Sequence, residues 1–139
     1  MIDDPAGHSK KPLLEKLGIG EGFTVAVLNP PPEYFEKLGK LPKGVKMETE
    51  SGHLLDLVHF FTMSRTQLEE EFPKLGRKLS QRGMLWISWP KRSSGVRTDL
   101  SERFVREIGL DNGLVDVKIA SVDETWSGLK FVRRVRDRK

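Results

Sequence analysis

The chain has 139 residues, a formal net charge of +4, 32% charged and 37% hydrophobic residues and no cysteine. That composition suits one domain able to bury about 70% of its unfolded surface, and it excludes disulfides, thiolate metal sites and cysteine nucleophiles. No apolar run approaches the roughly 20 residues that cross a bilayer, so membrane partners are not expected.

The expected domain covers 1–139, with an irregular arm over 1–10 and a basic tail over 136–139. The opening Met1-Ile2-Asp3-Asp4-Pro5 is acidic and lacks the basic-then-apolar layout of an export signal. Together with the absent cysteines this points to a cytoplasmic protein. Leu13, Leu14 and Leu17 have helical spacing, ended by Gly18 and Gly20. Residues 23–28 (FTVAVL) form a continuous apolar run, the pattern of a strand covered on both faces. Asn29-Pro30-Pro31-Pro32 stops it, because proline cannot donate to a strand ladder. A helix over 33–38, a turn over 41–44 and a weak edge strand over 45–48 follow. Residues 54–62 (LLDLVHFFT) are a second buried strand.

Ser64 and Gln67 have capping-box spacing. They open a helix expected to place Leu68, Phe72, Leu75 and Leu79 on one face as far as Gly83, with Pro73 kinking or dividing it. Residues 84–89 form the third buried strand. Asp99 and Glu102 are read as the cap of a further helix bearing Phe104, Val105 and Ile108. Residues 114–122 and 129–135 alternate apolar and polar side chains, the pattern of an antiparallel hairpin with a wetter face.

Strands alternating with helices and closed by a hairpin predict an α/β fold: a mostly parallel, Rossmann-like sheet flanked by helices. In that layout the turn at Asn29, the segment at Ser64, the loop 90–94 and the hairpin tip 123–128 share the carboxyl edge, where open α/β sheets hold ligands. The expected ligand-binding residues are therefore Asn29, Pro30, Ser64, Trp89, Lys91, Arg92, Ser93, Ser94, Asp123, Trp126 and Ser127. Lys91, Arg92 and the serines supply cations and hydroxyls suited to an anion. Trp89 and Trp126 are expected either to stack on each other or to form a platform for a flat group.

Other residues have plainer readings. Trp86 and His59 sit within apolar strands and are expected to pack in the core. Asp56 is expected to bond a neighbouring backbone amide, and Asp123 and Glu124 to serve their own turn before any acid–base work. No two of His8, His53 and His59 have the i, i+4 spacing of a helical zinc site, so no metal is expected. In the tail, Arg133, Arg134, Arg136, Arg138 and Lys139 face only Asp137. A solvated terminus accounts for such a run, and nucleic acid is not the expected partner.

The order of elements around "LGRKLSQRGMLWISW" resembles the S-adenosylmethionine (SAM)-dependent methyltransferase fold, shortened by about one βα unit. "LSQRGMLWIS" is similar to the L-x-P-G-G-x-L segment of that family. More closely, "AGHSKKPLLEKLGI", "VAVLNPP", "LDLVHFF", "WISWPKRSS", "TDLSE" and "GLVDVKIASVDETWSGLKFVRR" resemble a family of small bacterial proteins of unknown function, with the same Rossmann-like topology. The resemblance spans nearly the whole chain and implies a fold but no activity.

True methyltransferases follow their first strand with a glycine-rich turn that lets the backbone approach the cofactor. Here Asn29-Pro30-Pro31-Pro32 stands in that place, which disfavours SAM in its usual pose. The acid that would hold the ribose at the end of the second strand is Glu48 or Glu50. The expected function is thus a non-catalytic methyltransferase-like domain that binds a small anionic or nucleotide-like ligand. The alternatives are an active methyltransferase with an altered cofactor pose, and an interaction module that homodimerises through the terminal hairpin.

Overall fold

The computed structural model describes residues 11–48 and 54–139. The expected arm over 1–10, with His8, and the residues Glu50 and His53 lie outside the described residues. The elements run α1 (Leu13–Leu17), β1 (Thr24–Leu28), α2 (Tyr34–Leu38), β2 (Lys46–Met47), β3 (Leu55–Phe61), α3 (Arg65–Arg77), β4 (Leu79–Pro90), a 3-10 turn (Arg92–Ser94), α4 (Glu102–Asp111), β5 (Leu114–Ser121), β6 (Trp126–Arg133) and a last 3-10 turn (Val135–Asp137). Among the described residues no helix is long and apolar enough to cross a membrane.

The six strands form one sheet in the order β2-β1-β3-β4-β6-β5. β1 pairs in parallel with β2 and β3, and β3 with β4. β6 is antiparallel to both β4 and β5. The expected α/β class and mostly parallel sheet with a terminal hairpin are both present. β5 runs in the same sense as β4, so the turn after it returns to the carboxyl edge.

Alternation along the strands sorts the core into two layers. On one face Val58, Phe60, Leu85 and Ile87 pack against Leu68 and Phe72 of α3 and Val105 of α4. On the other, Leu57, Phe61 and Trp86 pack against Leu17 of α1 and Tyr34 of α2. Both faces of β3 and of the 84–90 half of β4 are covered, which is why those stretches are largely apolar.

Local chemistry sets the helix ends. Gly18, at φ 86°, ends α1 by sending its N–H to the Leu14 carbonyl. Ser64 Oγ accepts from Gln67 N at 3.2 Å and opens α3. The Gln67 side chain, instead of reaching back to Ser64, accepts from the Thr62 hydroxyl. Asp56 behaves as expected: its Oδ2 accepts from the Thr24 backbone N–H at 2.9 Å.

Three expectations about elements need correction. α3 ends at Arg77, not near Gly83, and Leu79 opens β4 with Leu55 as its ladder partner. Leu79 is buried in the same layer that a continuing helix would have reached, so spacing alone could not separate the two. Gly83 marks the irregular register there, since a Cβ on it would lie 2.8 Å from the Leu55 carbonyl oxygen. Pro73 lies inside α3 without dividing it. The cap of α4 is Ser101, which accepts from Phe104 N, and not Asp99. Finally, β6 begins at Trp126, so Trp126 and Ser127 belong to the strand and the tip shortens to residues 122–125.

Candidate functional site

Four segments meet at the carboxyl edge, as the topology requires, and they are bonded to one another. Lys91 N donates to the Thr125 carbonyl at 2.7 Å, and Lys91 Nζ reaches Ser121 Oγ at 2.6 Å. Asn29 Nδ2 donates to the Phe61 carbonyl at 3.2 Å, and Lys37 Nζ meets Asp123 Oδ2 at 3.2 Å. Much of the predicted site is therefore consumed in holding the edge together. Asp123 Oδ1 accepts from Thr125 N and Trp126 N, both at 2.8 Å, as its turn role predicts. Ser94 Oγ donates to the Lys91 carbonyl and accepts from Val96 N.

The sheet divides the two tryptophans. Trp89 pairs with Ser127 in the ladder, and Pro90 with Trp126. Trp89 packs in the layer under α3 and α4, whereas Trp126 packs on the α1/α2 layer, edge-on to Phe61 at 5.1 Å. The expected stack or shared platform of Trp89 and Trp126 does not form, because neighbouring positions on a strand point to opposite faces.

On the α3/α4 side the edge opens into a cleft of about 400 Å³. It is lined by Trp89 and Pro90 at the end of β4 and by Arg92, Gly95, Val96 and Arg97 in the segment that follows. Thr98, Leu100 and Ser101, leading into α4, and Glu102, its first residue, complete the lining. Trp89 and Arg92 are the predicted site residues that line this cleft. Asn29 and Pro30 stay on the β1 turn, Ser64 caps α3, Lys91 reaches β5, Ser93 is exposed beside the rim, and Ser127 is buried in the sheet. Sequence reasoning stopped at Gly95 and missed Val96, Arg97, Thr98, Leu100 and Ser101, and it gave Glu102 to capping. The available signal was that the basic, hydroxyl-rich run continues past Gly95 to Arg97-Thr98.

The loop over 95–101 is fastened to the start of α3. Arg65 N donates to Asp99 Oδ1 at 2.9 Å, and Arg65 Nε to the Asp99 carbonyl at 2.6 Å. The Arg65 guanidinium also lies 4.2 Å from the centre of the Phe104 ring. Thr98 Oγ1 donates to the Met63 carbonyl at 2.7 Å. Asp99, read from sequence as the cap of α4, thus bonds the first turn of α3.

The charges around the cleft are unequal. Among the described residues neither Arg92 nor Arg97 has a carboxylate partner. Glu102 Oε2 is held by Arg106 Nη2 at 2.6 Å, and Arg106 Nε holds Asp116 at 2.9 Å. Hydrogen bonds to Glu102 and then Asp116 raise the Arg106 pKa further. The two guanidinium groups and the N-terminal end of the ten-residue α4 therefore favour negative charge in the cleft.

The opposite face carries a buried polar chain. His59 is fully buried, with Nδ1 2.8 Å from the Tyr34 hydroxyl and Nε2 2.7 Å from Ser88 Oγ. Its ring stacks on Phe61 at 4.2 Å. Burial pushes the His59 pKa down to about 3, against a smaller upward pull from Asp123, so the imidazole is neutral at physiological pH. Burial also lifts the Tyr34 phenol well above its usual value.

A methyltransferase fold implies SAM at the turn after β1, and the residues there do not fit its usual cradle. Asn29 takes a left-handed conformation at φ 56° and bonds the end of β3, and the next three residues are prolines. Prolines offer no amide donors and add ring bulk where the backbone should approach a ligand. Glu48, the residue after β2, is in keeping with a ribose site, and Glu50 lies outside the described residues. Among the described residues no group of three His, Asp or Glu side chains could hold a metal ion.

The chain matches no protein-family model and no curated protein. It is similar in structure to a TehB-like SAM-dependent methyltransferase from Corynebacterium glutamicum, with TM-score 0.58 and 13% identity over 93% of this chain and 91% of that one. A SAM-dependent methyltransferase from Aquifex aeolicus gives TM-score 0.57 at 14% identity, covering 86% of each chain. Magnesium protoporphyrin IX methyltransferase from Synechocystis with bound SAM gives 0.57 at 12% identity, over 88% of this chain and 74% of that one. At such identities the likeness shows the fold, and the fold is methyltransferase-like.

Proposed function

We propose that this chain is a non-catalytic methyltransferase-like domain that binds a small anionic or nucleotide-like ligand at the carboxyl edge of its sheet. The ligand sits in the cleft between the loop after β4 and the start of α4. The observation that carries this reading is the pair Arg92 and Arg97, facing one cleft over Trp89 and Leu100 with no carboxylate of their own among the described residues. A charge-assisted hydrogen bond contributes about 1.5–3 kcal/mol, so one from each arginine supports anion binding between about 40 μM and several mM. Titration calorimetry with orthophosphate, comparing the wild type with R92A/R97A, tests it. Saturable binding that weakens about tenfold or more in the variant supports the reading. Equal affinity in the two proteins removes the site from this cleft.

A second reading is favoured by the fold likeness and by Glu48: an active methyltransferase that holds SAM in an altered pose. Calorimetry with SAM separates the two. Saturable micromolar binding that survives R92A/R97A selects the methyltransferase, and no binding leaves the anion site as the function.

A further inference from the structure

We infer that the ligand of this cleft is an organic phosphate monoester of about nucleoside-monophosphate size, carrying a single phosphate and a hydroxyl-bearing body; the inference rests on the anion-binding reading above. The first ground is size. A cleft of about 400 Å³ lies in the range of small-molecule sites, roughly 300–1,000 Å³, and a bare phosphate would fill only a corner of it. The second is the division of the lining. Arg92 and Arg97 provide the cationic part, while Trp89, Val96 and Leu100 provide apolar wall for an organic body.

The third ground is Glu102, which shares this cleft with the arginines. Its side chain is 37% exposed and Arg106 holds only Oε2, so Oε1 is left as an acceptor among the described residues. A carboxylate in that place accepts from a hydroxyl and repels any further anionic group. It therefore suits a sugar-like body and opposes a di- or triphosphate, for which two arginines and a nearby acid are a poor match.

Titration calorimetry of the full chain at one ionic strength, with orthophosphate, adenosine monophosphate and adenosine triphosphate, provides the test. The monophosphate is expected to bind about tenfold or more tightly than orthophosphate, and the triphosphate more weakly than the monophosphate. E102Q, which removes the charge and keeps an acceptor, is expected to bring the triphosphate level with the monophosphate. Arginine-dependent orthophosphate binding with no gain for the monophosphate overturns this inference and leaves the anion site standing. Triphosphate binding tighter than monophosphate binding in the wild type also overturns it. If none of the three binds, or R92A/R97A binds them all equally well, the anion-binding reading itself falls.

Discussion

Arg65 and Asp99 hold each other through two hydrogen bonds, from Arg65 N to Asp99 Oδ1 at 2.9 Å and from Arg65 Nε to the Asp99 carbonyl at 2.6 Å. This clamp ties the loop that carries Arg97 to the first turn of α3, so the rim of the cleft is fixed by a residue outside it. D99A removes the side-chain acceptor and frees the loop. The expected cost is about 1 kcal/mol of stability, because the bond is exposed, together with weaker phosphate binding. D99N keeps an acceptor and should recover much of both, as denaturant melts and calorimetry on the two variants would reveal.

Trp126 lies on the other side of the sheet from the cleft, against Phe61. W126A should destabilise the fold by about 2–4 kcal/mol, toward the lower part of the range for aromatic truncation because Trp126 is only partly buried. Its phosphate affinity should match that of the wild type. Loss of binding in a W126A protein that is still folded would mean that the two faces of the edge work as one site.

His59 makes stability depend on pH in a definite direction. Its pKa is about 3 in the fold against an ordinary value of 6.5, so between those values the unfolded chain binds a proton that the folded one does not. The contribution is fully present above pH 6.5 and is lost progressively as pH falls toward 3. H59Q should flatten the fall in stability over that window relative to the wild type. Parallel curves for the two proteins, from urea melts at several pH values, would remove His59 as the cause.

Gly109 is the close-contact point of α4. A Cβ there would lie 2.0 Å from Phe131 Cε1, and Phe131 is fully buried. Alanine normally gains about 1 kcal/mol over glycine within a helix, but here overpacking reverses the sign. G109A should lower stability by about 1–3 kcal/mol, measured by chemical denaturation.

The fold was legible where a sequence signal had one physical meaning. The apolar runs 23–28 and 54–62 read as covered strands because they are short and rich in β-branched and aromatic residues, and Ser64 with Gln67 marked the start of α3. Leu79 was ambiguous because the end of a helix and the start of a strand reach the same core. The α4 cap went to Asp99 because Asp99 and Ser101 are both good capping residues, and only tertiary geometry shows Asp99 turned toward Arg65. The carboxyl edge was legible from topology, but its division by the sheet was not. The hairpin register places Trp126 opposite Pro90 and thereby sends its ring away from Trp89. Lys91, Ser94 and Asp123 looked like ligand groups because cations, hydroxyls and carboxylates serve a turn as readily as a bound anion.

Mapping amide shifts on isotope-labelled protein during an orthophosphate titration tests the anion site most directly. The predicted result is saturable shifts at residues 92 and 95–102 and at the Trp89 indole, absent in R92A/R97A. Shifts confined to the α1/α2 face, at residues 29, 34 and 126, or no saturable shifts at all, would contradict it.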